Sequence, residues 1–274
     1  MRNPGLFMGG ICAQVVASVN DSYSDSVPVA TPSSFPPLER VPWNGWWTLL
    51  WAVLLFFLWQ MVMGVGLVVA GIQQGAFQGD IEKNIMALAS DGDVVGLTAF
   101  VAIFFVCPFC WFLGQLRPGF TGWSYLGNLR VTWWHWPLWG VATIACSIAF
   151  DLLSPSVGVD GPDESMVAMG QSTEVPVLLY LGVGIGAPLV EEFVFRGVLW
   201  RGWRASALGL GGTLVLTSFL WAVLHVQYPT VIICYIFVLG LVLGWAREVT
   251  GNLWVPVGMH ALNNGLATLH MLSL

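Results

Sequence analysis

Within Ala187–Gly197 two adjacent carboxylates, Glu191 and Glu192, and a guanidinium, Arg196, interrupt an otherwise apolar run. One charge at the centre of a membrane helix costs roughly 2.5–3.5 kcal/mol on insertion scales, so three in six residues imply use. Successive residues on a helix turn by about 100°, which sends Glu191 and Glu192 to different faces. Arg196 follows Glu192 by four residues, the spacing of an ion pair on one face. The pair holds Glu192 ionised and oriented, and leaves Glu191 to face something else. A carboxyl group in a dry site suits a general base working near neutrality. A purely structural Glu-Glu-Arg tie between helices is the bland alternative, but packing does not need two adjacent acids.

Further along stand His225 in Trp221-Ala-Val-Leu-His225, and His260, Asn263 and Asn264 in Gly258-Met-His260-Ala-Leu-Asn263-Asn264-Gly265. His260 and Asn264 are four apart and share a helical face. Glu and His can deprotonate a water, while His and Asn can donate to a developing oxyanion. Together they are the parts needed to hydrolyse an amide bond.

The elements that must position these residues are membrane helices. The 274-residue chain is 57% hydrophobic and only 9% charged, with 16 Trp. Soluble domains carry about 25% charged residues, so the class is an integral membrane protein sitting in a lipid bilayer. The formal charge of −6 names no partner and gives no sign of nucleic acid, because most of the acid lies in two loops. The fold class expected is all-α, a polytopic bundle of about seven transmembrane helices near 46–72, 94–116, 134–153, 176–200, 208–227, 230–246 and 252–272. Trp43, Trp46, Trp47, Trp133, Trp134, Trp136 and Trp254 mark the helix ends as interfacial belts do. Gly240 and Gly244 give the sixth helix a small-residue face for close packing. Residues 1–42 read as a disordered cytoplasmic tail, although Leu6–Ala17 has some likeness to a signal-peptide core. Residues 43–274 form the helical domain.

The basic residues set an orientation. Arg2 and Arg40 precede the first helix, Arg117 and Arg130 lie in the second loop, Arg201 and Arg204 in the fourth and Arg247 in the sixth. Only Lys83 falls in an odd-numbered loop, among Asp80, Glu82, Asp91 and Asp93. The pattern puts the N-terminus in the cytoplasm. Depth is the awkward point. A straight helix from Ala207 carries His225 toward the outer end, away from Glu191, unless Gly209-Leu-Gly-Gly212 lies outside the membrane.

The ordered triple Glu191-Glu192-x-x-x-Arg196, Trp221-x-x-x-His225 and His260-x-x-x-Asn264 resembles the CPBP family of intramembrane proteases. That family includes type II CAAX prenyl endopeptidases and bacterial bacteriocin-processing or immunity proteins. The resemblance covers roughly residues 135–270. It implies an endopeptidase acting on a membrane-associated or lipidated protein or peptide in a bacterial cell membrane. Glu191 and His225 would activate water, His260 and Asn264 would stabilise the oxyanion, and Glu192, Arg196 and Asn263 would support them. Trp221 stands where the family usually has Phe, a departure expected to alter pocket shape more than chemistry. Members have also been described as metalloproteases, and Glu191, His225 and His260 could supply three zinc (Zn2+) ligands with one position open. No helix carries a His-Glu-x-x-His pairing, so the metal-free glutamate mechanism is preferred. A proton-coupled transporter using the same Glu and His set, or a catalytically silent immunity or scaffold protein, are the rival readings. Cys107-Pro-Phe-Cys110 has the spacing of a redox pair but lacks any charge to activate a thiol.

Overall fold

In the computed structural model, residues 40–274 are described apart from 128, 160 and 162. Most of the expected N-terminal tail, residues 1–39, lies outside the described residues. The described elements are helical throughout: α1 (Gly45–Gln73), α2 (Ile81–Ala89), α3 (Gly92–Gln115), α4 (Gly122–Leu126), α5 (His135–Leu153), α6 (Glu164–Gln171), α7 (Pro176–Arg204), α8 (Gly209–Val223), α9 (Thr230–Thr250) and α10 (Trp254–Met271).

Seven of these stand where apolar runs place them. Five of the seven (α1, α3, α7, α9 and α5 with its 3₁₀ extension to Val157) are long and apolar enough to cross a bilayer. The other two are α8, with 15 residues, and α10, whose apolarity is broken by His260, Asn263 and Asn264. The chain is an integral membrane protein with a polytopic helical bundle. In the most apolar stretch of α1 only 11% of the residues are buried inside the protein, so lipid must cover the rest.

The short helices α2, α4 and α6 were not expected, being too short to carry a membrane signal. Helix caps on α2, α3 and α6 explain part of the loop acid. The side chain of Asp80 accepts from Lys83 N, Asp91 from Asp93 N and Val94 N, and Asp163 from Ser165 N. Each carboxylate satisfies an orphan donor in a first helical turn. Asp93 accepts from Glu174 N and Val175 N and so ties the start of α7 to α3.

Glycine sets how closely the helices approach. A Cβ on Gly182 of α7 would lie 2.0 Å from the carbonyl oxygen of Gly96 on α3, so the two backbones touch there. The face of α9 expected to pack closely does so: Gly240 meets Ser218 and Trp221 of α8, and Gly244 meets Leu214 and Trp200. Arg201, Arg204 and Arg247 lie within helix ends rather than in loops.

Candidate active site

The helix α7 is not uniform. Its ends and its centre, Ala187–Glu192, are α-helical, but Tyr180–Gly186 and Phe193–Leu199 are π-helical. Gly182, Gly184 and Gly186 leave the first stretch with few side chains to hold a tighter winding. A π stretch widens the helix and shifts its hydrogen-bond ladder, and such stretches gather at functional sites. Here a carbonyl in each takes a partner from another helix. Val183 O accepts from Asn264 Nδ2 at 3.3 Å, and Arg196 O accepts from Arg247 Nε at 2.9 Å. The two acids sit between the two stretches, and every residue from 191 to 200 is buried.

Glu192 and Arg196 form the expected ion pair. Glu192 Oε1 accepts from Arg196 Nη1 at 2.9 Å, with both side chains fully buried. A second arm, Nη2, donates to Gly240 O at 2.9 Å, so the close-packed glycine face of α9 also receives the guanidinium. The guanidinium lies 4.9 Å from the ring centroid of Trp221, a cation–π contact. Glu192 Oε1 is also 3.0 Å from His260 Nδ1. An ionised carboxylate only accepts, so the proton on that bond belongs to His260, and Nε2 is the nitrogen left for other work. That Nε2 lies 3.9 Å from Glu191 Oε2.

Glu191 faces elsewhere, as helical geometry requires. Its Oε2 accepts from Trp221 Nε1 at 2.5 Å. The indole therefore donates a hydrogen bond that a Phe at this position could not, which bears on the expectation that pocket shape changes more than chemistry. Trp221 also packs edge-on to His260 at 4.9 Å and to His225 at 5.6 Å between ring centroids.

His225 lies just beyond the end of α8, and residues 209–212 form the first turn of that helix. At ~1.5 Å per residue this helix spans about 22 Å, short of a ~30 Å hydrocarbon core. It starts at Gly209, ends at Val223, and gives way to a turn that carries His225 before the next helix begins at Thr230. His225 Nδ1 lies 2.8 Å from Trp221 O. A carbonyl cannot donate, so Nδ1 carries the proton and the Nε2 lone pair is left for an outside partner. Glu191, Trp221 and His225 line one cavity of about 250 Å³. Bringing a carboxylate and an imidazole to one cavity is what general-base chemistry on a water needs.

His260 and Asn264 stand one helical turn apart on α10 but are not among the residues lining that cavity. Asn264 is held at both ends of its amide. Asn263 Nδ2 donates to its Oδ1 at 3.2 Å, and its own Nδ2 reaches Val183 O. The remaining hydrogen on Nδ2 is the one open to a further acceptor. Asn263 accepts from Tyr235 Oη at 2.6 Å and from Ser147 Oγ at 3.1 Å, which joins α5, α9 and α10.

No three His, Cys, Asp or Glu side chains among the described residues are grouped to hold a metal ion, Glu191, His225 and His260 included. His260 Nδ1 is turned to Glu192 and His225 Nδ1 to a carbonyl, which leaves the Nε2 of each histidine open, as it is in an imidazole oriented through its other nitrogen.

Three participants escaped sequence reasoning. The indole donor of Trp221 and the Ser147–Tyr235–Asn263 cluster depend on which atoms of distant helices meet. Arg247, counted as a loop charge, is buried and donates to Arg196 O and Leu126 O. Its position, four residues before the closing Gly251, was the available signal.

Residues 173–266 match the family described as type II CAAX prenyl endopeptidase Rce1-like. An "Uncharacterized 24.3 kDa protein" of Escherichia coli is 34% identical over 88 residues, which is 31% of this chain and 40% of that relative. The chain thus matches well under two thirds of that relative's length. No solved structure matches the chain.

Proposed function

We propose that this chain, whose residues 173–266 match the Rce1-like family of type II CAAX prenyl endopeptidases, is an intramembrane endopeptidase that hydrolyses a peptide bond of a membrane-associated or lipidated protein or peptide. The single observation that carries this reading is the cavity shared by Glu191 and His225. Water entering it meets a carboxylate whose Oε2 is fixed by Trp221 and whose Oε1 is left for a proton. In the proposed step Glu191 takes one proton from the water, His225 Nε2 accepts a hydrogen bond from the water's other hydrogen, and the oxygen attacks the scissile carbonyl. The electron pair moves to the carbonyl oxygen. His260 and Asn264 Nδ2 are the donors for that oxyanion. With Nδ1 donating to Glu192, His260 can donate through Nε2 only as the imidazolium. That form balances the charges of Glu191, Glu192 and Arg196. The proton held on Glu191 then passes to the leaving amine as the C–N bond breaks.

Under the same proposal the enzyme works in a bacterial cell membrane with its N-terminus in the cytoplasm, because the basic residues gather on one side. No step is routed through a metal. Membrane-peptide proteomics of cells carrying the wild type or Glu191→Ala tests the proposal. The expected outcome is a cleavage product present only with the wild type. Identical peptide profiles in the two strains, with both proteins expressed and folded, would count against it.

A further inference from the structure

Part of the wall of the cavity that holds Glu191 belongs to α1, which lies outside the family-matched segment. From α1 come Phe56, Trp59 and Gln60. Between Leu49 and Ile72, tryptophans aside, Gln60 is the one side chain able to form a conventional hydrogen bond. It sits near the middle of a 29-residue membrane helix, is exposed at the helix surface and has no hydrogen-bond partner among the described residues. The neighbouring Trp59 Nε1 is buried and likewise unpaired. An amide kept in an apolar environment without a partner costs on the order of 1–3 kcal/mol by protein mutational data. Polar groups at membrane depth face a cavity and mark a substrate path.

We infer that Gln60 is a substrate-binding residue: its amide pairs with a backbone peptide group of the substrate, held in the cavity that it lines together with Glu191. This inference rests on the proteolytic reading above and deepens it. The chemistry matches. A glutamine side chain presents one carbonyl and one NH₂, complementary to the N–H and C=O of a peptide. Being neutral, it needs no counter-ion at this depth. Phe56, Trp59 and Leu224 offer apolar contact to the flanking side chains, which favours an extended apolar segment. At about 250 Å³ against ~30 Å³ per water, the space admits a short stretch of chain rather than a folded partner. Family motifs thus supply the water-activating side, and α1 supplies the side that aligns the bond to be cut.

The test uses the full chain in proteoliposomes with a fluorogenic apolar peptide and an ester analogue in which one amide N–H is replaced by oxygen. Gln60→Leu removes both hydrogen-bonding groups at similar volume, and Gln60→Met repeats the removal with a flexible side chain. Both should insert well, since each is more apolar than the wild type. The expected result is a KM raised about tenfold with kcat changed less than about threefold, the size of one or two lost hydrogen bonds. In the Glu191→Gln background, peptide Kd should weaken by the same factor. Wild type should also discriminate amide from ester, while Gln60→Leu should not. Unchanged KM, Kd and ester discrimination in folded Gln60 variants of a cleaving enzyme overturn the inference alone. A wild type that neither cleaves nor binds peptide overturns the proteolytic reading, and this inference with it.

Discussion

Trp221 Nε1 donates to Glu191 Oε2 at 2.5 Å, and the same residue's carbonyl oxygen is bonded to His225 Nδ1 at 2.8 Å. One residue thereby fixes both members of the proposed water-activating pair, the carboxylate through its side chain and the imidazole through its backbone. Trp221→Phe keeps an aromatic ring beside Arg196 and His260 but loses the donor. A hydrogen bond to a charged group contributes about 1.5–3 kcal/mol, so kcat should fall at least about tenfold with KM nearly constant. Steady-state kinetics in proteoliposomes check this, with thermal unfolding as the control for folding.

Among the described residues Arg196 is ion-paired with Glu192, donates to Gly240 O and lies over the Trp221 ring. Removing one partner of a buried pair leaves an uncompensated charge, at about 3–5 kcal/mol. Arg196→Met should therefore lower the unfolding temperature in detergent sharply, well beyond the effect of Glu191→Gln.

Close packing of α3 on α7 makes a separate prediction. A Cβ at Gly182 would fall 2.0 Å from Gly96 O, whereas one at Gly211 meets nothing within 4 Å. Gly182→Ala should destabilise by about 1–3 kcal/mol through overpacking. Gly211→Ala should be neutral or stabilising by up to about 1 kcal/mol, since Gly is a poor helix former. Thermal melts of the two variants, compared side by side, decide.

Cys107 and Cys110 are buried in the interior of α3, whereas Cys234 is exposed on α9. Folded protein should label with maleimide at Cys234 and not at the other two. A Cys107→Ala, Cys110→Ala double variant should keep its activity.

Much of this was readable from local rules. Long apolar runs fix the membrane helices because lipid leaves the backbone no other partner. The Glu192–Arg196 pair follows from four-residue spacing, and the role of Gly240 from its missing side chain. What stayed hidden depends on tertiary meeting points. The indole of Trp221 becomes a donor to Glu191 only because its face of α8 meets α7. Arg247 looks like a loop charge until α9 is seen to run on to Thr250 and bury it. The π stretches of α7 carry no sequence mark beyond four glycines, yet they supply the carbonyls that hold Asn264 and Arg247. Gln60 is a lone amide in an apolar run, and its meaning waits on knowing that it lines the same cavity as Glu191.

The role of Glu191 as the water-activating base is the central claim. Its most direct test is the rate of peptide cleavage by purified wild type and Glu191→Gln in proteoliposomes at equal, verified fold. A positioned general base contributes about 10²–10⁴-fold, so the variant should lose at least about a hundredfold in kcat while still binding peptide. Cleavage by folded Glu191→Gln within a few-fold of the wild-type rate would contradict the mechanism.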